Sequence, residues 1–223
     1  MNRSKPIKAR DLTILALLAA VSYVVMYLSK LIPIHILGFL SFDLKDVIIC
    51  IAGFLFGPLA AAGVSVVVSL IEMVTVGSTG LWGLLMNVLS TCAFVCTAAY
   101  FYQRNKTIKN AVIGLVVGVL LMTAVMLLWN WLITPIYMGQ PREFVATLLI
   151  PYFLPFNLIK GGINATLTIL IYKPIVTALR KAKLIPPSTG SGQGGRKKIG
   201  VLIVAAVLLV TFILLALVLA KVI

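Results

Sequence analysis

Hydrophobic residues in this chain fall into long, nearly unbroken runs, and polar positions are confined to the gaps between them. The first run covers residues 11–29, with Asp11 placed to cap the start of a helix. The mixed segment at 30–44, which holds Pro33, His35, Gly38 and Phe39, is too apolar for an ordinary solvated loop. Two further stretches, 45–56 and 58–76, are divided by Gly57-Pro58, a turn or helix-restart signal, so a short second helix and a longer third are expected. After Gly77-Ser78-Thr79-Gly80 comes a fourth run at 81–102, then a basic gap, then a fifth run at 110–133 that stops at Pro135. Residues 137–147 read as a polar loop, and the sixth run starts near Leu148, carries Pro151 and Pro155 and ends around Leu179. A flexible basic linker follows at 186–198. The last run, 199–220, has Thr211 as its single polar residue and reads as a lipid-facing anchor.

Runs of about 20 apolar residues match a hydrocarbon core roughly 30 Å thick. The pattern therefore predicts an all-α integral membrane protein: a six-helix transmembrane bundle over residues 1–185, the linker 186–198, and an additional C-terminal transmembrane helix within 199–223. Composition agrees, since 61% of residues are apolar and 11% charged, with a mean hydropathy of +1.14. Those values exclude a soluble fold, and the spans leave no room for a separate catalytic domain.

The net charge of +14 would suggest nucleic acid in a soluble protein, so the placement of the basic residues decides its meaning. Arg3, Lys5, Lys8 and Arg10 precede the first span, Arg104, Lys106 and Lys109 separate the fourth from the fifth, and Lys173, Arg180, Lys181, Lys183, Arg196, Lys197 and Lys198 follow the sixth. All of these fall on one side, whereas the other side receives only Lys30, Lys45, Arg142 and Lys221. The positive-inside rule then puts the N-terminus in the cytoplasm of a multi-pass protein of the cell membrane, and nucleic acid is not needed to explain the charge. The first run reaches spanning length with no A-x-A cleavage site, so it is expected to stay as an anchor. Cys50, Cys92 and Cys96 lie within apolar segments and, with His35 as the sole histidine, read as packing residues and not metal ligands.

An ionisable group at the centre of a span costs roughly 2.5 to 3.5 kcal/mol, so each needs a reason. Glu72 and Lys160 lie well inside; Asp43, Lys45 and Asp46 sit at the mouth of the second helix, where part of their hydration is expected to survive and negative residues suit the N-terminal dipole. Asn87, Asn130, Asn157 and Asn164 add amides that must find partners, either as glue between helices or as ligand contacts. Asn157 and Lys160 share a helix face beside Pro155, and Gly161-Gly162 permits close approach of a helix or a ligand. Trp82, Trp129, Trp131, Phe42, Phe153 and Phe156 lie near these positions, as an interfacial belt or as walls for a flat ligand. The chain has no phosphate loop, no G-x-S-x-G and no H-E-x-x-H, and no catalytic residues are assigned.

Two blocks, Phe42-Asp43-Leu44-Lys45-Asp46-Val47 with Gly53-Phe54-Leu55-Phe56-Gly57-Pro58-Leu59, and Leu154-Pro155-Phe156-Asn157-Leu158-Ile159-Lys160-Gly161, resemble the riboflavin-specific substrate-binding subunits (S components) of energy-coupling-factor (ECF) vitamin transporters. The resemblance covers roughly residues 10 to 183 in the same helix order, with Asn87 and Asn130 matching asparagines of the fourth and fifth helices. It implies a subunit that captures riboflavin at the outer face and works with a transmembrane coupling protein and two ATPase subunits; riboflavin is cargo, and no cofactor or metal is implied. Asn87, Asn130, Asn157 and Lys160 would make the polar contacts to the ligand, Leu40 and Phe42 would belong to the loop that closes over the ring, and Gly77 would lie in the neighbouring loop. Glu72 is a further candidate, and Asp43 and Asp46 would hold the closing loop in register. Ala16 and Ala20, with Ala19 beside them, would form the small-residue face of the first helix that docks on the coupling protein. Competing readings are the same kind of subunit for another vitamin or a flavin phosphate that Lys160 and Lys45 could meet, an ion-coupled secondary carrier, and a membrane enzyme. A carrier should show internal repeats and more buried carboxylates.

Overall fold

In hydrocarbon every backbone N–H and C=O has to be satisfied within its own segment, so apolar runs of this length must become helices. The computed structural model describes residues 9–31, 35–37, 40–185 and 195–222, and is almost wholly helical. Helix α1 (Ala9–Lys30) leads into a two-stranded antiparallel hairpin, β1 (His35–Ile36) and β2 (Leu40–Ser41), in which Ile36 lies opposite Leu40. Then come α2 (Lys45–Phe56), α3 (Pro58–Thr75), α4 (Gly80–Arg104), α5 (Ile108–Leu132) and the short α6 (Thr134–Met138). A continuous helical stretch follows, made of α7 (Arg142–Leu148), a π-helical turn (Leu149–Phe153) and α8 (Leu154–Lys181), and α9 (Gly195–Leu219) ends the order. Among the described residues six helical stretches are long and apolar enough to cross a membrane; α2, with 12 residues, is not one of them.

The breaks have local causes. Gly57 takes a positive φ of 96°, a conformation open to glycine, and Pro58 then starts α3 with a φ already suited to the first helical turn. Pro151 removes a backbone donor, and there the helix widens: the Leu154 N–H reaches back five residues to the carbonyl of Leu149. Helices α4 and α5 pack backbone to backbone, because a Cβ on Gly118 would stand 2.6 Å from the carbonyl oxygen of Phe94, and one on Gly114 would stand 2.8 Å from that of Ala98.

Three expectations need correction. The segment 137–147 is not simply a polar loop, since α7 begins at Arg142 directly after Pro141, with Glu143 in its first turn. Ala19 is buried inside the bundle, while Ala16 and Ala20 are exposed on the outer face of α1, so only those two are available to a partner. The C-terminal run is not a purely lipid-facing anchor, because Ala205 and Ala216 of α9 are buried and the Phe212 ring lies on Gly162 of α8. Of the expected linker, residues 186–194 lie outside the described residues, as do Pro33, Gly38 and Phe39.

Candidate functional site

The start of α2 is where the helices are tied together. Asp43 accepts a 2.7 Å hydrogen bond from the Lys160 ammonium of α8, and its backbone carbonyl accepts another from the Asn164 amide. The Lys45 ammonium donates to Glu72 Oε2 of α3 at 2.5 Å, and the Lys45 carbonyl accepts from the Ser22 hydroxyl of α1. Asp46 Oδ1 accepts from the Thr91 hydroxyl of α4 at 2.6 Å, and Lys30, at the end of α1, pairs with Glu72 Oε1 at 2.8 Å. Three residues within 43–46, Asp43, Lys45 and Asp46, thus fasten the start of α2 to α1, α3, α4 and α8. Lys45 and Asp46 are each 1% exposed, so they do not form the half-hydrated helix mouth expected from sequence. Burial alone would raise the Asp43 carboxyl, but the ammoniums of Lys160, Lys45 and Lys30 outweigh it and hold its pKa at about 2.

Above this hub lies a cavity of about 460 Å³, within the usual range for small-molecule sites. It sits at the end of the bundle where α1 and α3 finish and α4 starts, away from the basic connections. Its walls are apolar and aromatic at Leu40, Met73, Trp82, Trp129 and Phe156, and polar at Lys30, Asp43, Ser69, Glu72, Asn87, Thr134 and Lys160; Gly77 belongs to the 76–80 turn at its rim. A side chain at Gly77 would meet the Met73 backbone at 2.9 Å, so the turn stays bare there. Asp43 Oδ1 and the Ser69 hydroxyl, both on cavity-lining residues, are buried without a hydrogen-bond partner among the described residues. Unmatched polar atoms beside an apolar cavity are what a ligand with hydroxyl or amide groups would satisfy.

Of the eight residues singled out in the sequence for the ligand, Leu40, Glu72, Gly77, Asn87 and Lys160 line this cavity. Phe42, Asn130 and Asn157 stand one contact behind it. Phe42 packs on the lining residue Phe156, with ring centroids 4.9 Å apart. Asn130 spans two turns, donating to the Met126 carbonyl and accepting from the hydroxyl of Thr134, itself a lining residue. Asn157 donates its side-chain amide to the carbonyl of Phe153, the last residue of the π-helical turn, at 2.7 Å. Sequence reasoning passed over Lys30, Ser69 and Thr134 as lining residues. For Lys30 a signal existed, because Asp43, Asp46 and Glu72 outnumber Lys45 and Lys160, which leaves one carboxylate of this region short of a cation. Ser69 is one turn before Glu72 on the same face of α3. Trp82 and Trp129 belong to the cavity wall, whereas Trp131 is exposed with the Arg142 guanidinium 5.4 Å from its ring.

Comparison with known proteins agrees with the helical fold. Residues 10–172 match the model of a family described as the substrate-specific component of ECF transporters. The chain is 32% identical over 182 residues to the riboflavin transporter RibU of Streptococcus thermophilus, covering 77% of this chain and 85% of that protein. It is 26% identical to the riboflavin transporter RibU of Staphylococcus aureus, covering 77% and 93%. With the riboflavin transporter FmnP of Bacillus subtilis the identity is 27%, covering 79% and 99%. A solved structure of the S component of a bacterial ECF transporter superposes with a TM-score of 0.65 at 26% identity, covering 76% of this chain and 97% of that one.

Proposed function

Because this chain belongs to the substrate-specific components of ECF transporters, we propose that it captures riboflavin in the cavity above the Asp43–Asp46 hub and serves as the riboflavin-specific subunit of an ATP-driven uptake system. The basic connections mark the cytoplasmic end of the bundle, so the N-terminus is inside and the cavity opens outward. The observation that carries the reading is the composition of the wall. Trp82, Trp129 and Phe156 offer faces to a flat ring system, while Asn87, Lys160, Asp43 Oδ1 and the Ser69 hydroxyl supply polar partners for its edge and its hydroxyl chain. Leu40, in the hairpin, and Gly77, in the 76–80 turn, form the rim over which the ligand enters. Phe42, Asn130 and Asn157 hold the wall in place from behind.

The cavity favours uncharged riboflavin over a flavin phosphate. Lining ammoniums (Lys30, Lys160) and lining carboxylates (Asp43, Glu72) are equal in number and already paired, and Lys45 is engaged by Glu72, so no unpaired lysine awaits a phosphate. The chain has no phosphate loop, and we assign ATP hydrolysis to separate subunits: two ATPases acting through a membrane coupling protein that docks on Ala16 and Ala20 of α1. The subunit does no chemistry of its own and needs no cofactor besides its cargo. The test is direct. Purified protein titrated with riboflavin should quench flavin and tryptophan fluorescence with one-to-one saturation, and protein from riboflavin-fed cells should be yellow. A colourless protein that leaves both signals unchanged would refute the assignment.

A further inference from the structure

The family match ends at residue 172, so it does not account for α9. That helix has a definite inner face. Ala205, Leu209, Phe212, Ala216 and Leu219 recur at intervals of four and three, the repeat of a helix seated on a neighbour. Ala205 and Ala216 are buried and Leu209, Phe212 and Leu219 half-buried, whereas Val207, Ile213 and Val218 between them are exposed. The seat is α8. A Cβ on Gly162 would lie 2.5 Å from carbon atoms of the Phe212 ring, so the ring rests on bare backbone. Leu209, Phe212 and Leu219 join the cluster formed by Ile159, Ile163 and Ala216, to which Phe42 and Leu44 also belong.

The far end of α9 reaches beyond α8. Leu219 and Ala220 pack into a second cluster, whose buried members are the hairpin residues Ile36 and Leu40 together with Val145, Phe153 and Phe156. Leu40 and Phe156 line the ligand cavity. One end of a membrane-length helix therefore abuts the segment that forms the cavity rim, while its middle is keyed to the helix that carries Lys160.

We propose that α9 is a built-in strut for the rim of the site: Phe212 fixes it on α8, and Leu219 presses strands β1 and β2, at Ile36 and Leu40, and the adjoining Phe42 toward the cavity. Phe212 and Leu219 are positioning residues. They touch no ligand, and they set how long the rim stays closed over one. The strut deepens the riboflavin reading and rests on it for the identity of the cargo, but the mechanical claim concerns the hairpin alone.

The experiment uses the full chain with Cys50, Cys92 and Cys96 replaced by alanine and a reporter Ile36→Cys. Ile36 is 3% exposed and pairs with Leu40 across the hairpin. Two rates are measured in detergent: maleimide labelling of the reporter without ligand, and riboflavin release into an excess of non-fluorescent competitor, followed by recovery of flavin fluorescence. Leu219→Ala and Phe212→Ala should each raise both rates about five- to tenfold, the size expected for trimming a half-buried side chain when the loss appears mainly in dissociation. Phe212→Leu should restore most of the difference, and the lipid-facing controls Ile213→Ala and Val218→Ala should stay within about twofold of the parent. If labelling is unchanged in Leu219→Ala, the strut is refuted whatever release does. If Phe212→Ala fails to fold, Leu219→Ala at the helix end decides the matter alone. A parent that binds no riboflavin, yet labels faster when Leu219 is trimmed, would overturn the cargo assignment and leave the strut standing.

Discussion

Replacing Lys160 tests the hub and the site together, because its ammonium serves both. Lys160→Met keeps the apolar stem and removes the charge, which leaves Asp43 4% exposed with neither oxygen paired to Lys160 and Oδ1 already without a partner. Breaking one partner of a buried ion pair typically costs about 3 to 5 kcal/mol, more than the roughly 1 to 3 kcal/mol for a lost ligand hydrogen bond. The single variant should therefore lose thermal stability in ligand-free form and also bind riboflavin roughly ten- to a hundredfold more weakly. Adding Asp43→Asn removes the stranded charge. In the double variant the apparent melting temperature should return close to the parent, while binding stays at least about tenfold weak because the pocket still lacks its ammonium. Scanning fluorimetry and flavin titration on the parent, both singles and the double give the full cycle. If the double variant regains full affinity, Lys160 is a strut and not a ligand contact; if Lys160→Met alone is as stable as the parent, the ion pair does not hold the fold.

Three further outcomes follow from the same geometry. Gly118→Leu should lower the melting temperature strongly or prevent folding, since even a Cβ there meets the Phe94 carbonyl at 2.6 Å, whereas Gly63→Ala, where a Cβ meets nothing within 4 Å, should be tolerated. Riboflavin phosphate should bind at least about tenfold more weakly than riboflavin in the same titration, because a dianion gains no free cation and must be desolvated; equal affinity would contradict the paired-charge description of the cavity. Ala16→Trp or Ala20→Trp should leave flavin binding intact and abolish ATP-dependent uptake and co-purification with the coupling protein, as both alanines are exposed on α1; normal uptake would move the docking face elsewhere.

The helices were legible in the sequence because hydropathy measures the property that the bilayer enforces, and their ends were marked by Gly57-Pro58, Pro135 and the basic gaps. The hub was legible only in part. Sequence shows that Glu72 and Lys160 need partners, but the Asp43 to Lys160 pairing spans 117 positions, and nothing local indicates it. Lys45 was misjudged for a related reason: a charge at a helix start looks hydrated until the neighbouring helices are in place, and here α1 and α3 hold it. The inner face of α9 was hidden because every residue in that run except Thr211 is apolar, and a stripe of alanine, leucine and phenylalanine gives no contrast against valine and isoleucine. The signal that could have revealed it is size, since small Ala205 and Ala216 alternate with the larger Leu209 and Phe212 on one face, and Gly162 awaits a bulky neighbour on α8.

The position of the charges explains why the cavity is where it is. Asp43, Lys45, Asp46, Glu72 and Lys160 are all at most 8% exposed, and five buried ions left unpaired, at several kcal/mol each, would offset the whole of the roughly 5 to 15 kcal/mol by which an ordinary domain is stable. Pairing is thus a condition of folding, and because each contact joins residues on different elements, satisfying it also selects the helix arrangement. The side of this network facing the open end cannot be closed by apolar packing, since Lys30, Glu72, Asp43 and Lys160 must keep polar surroundings. A rigid polar floor under aromatic walls is what remains, fixed before any ligand arrives. Preorganisation of this kind spares a ligand the ordering of the groups that bind it, so in the proposed site selectivity would rest on where Asn87, Ser69 and Lys160 are held and not on net charge. Retention then depends on the one part of the site that the ion pairs do not fix, the hairpin rim against which α9 leans.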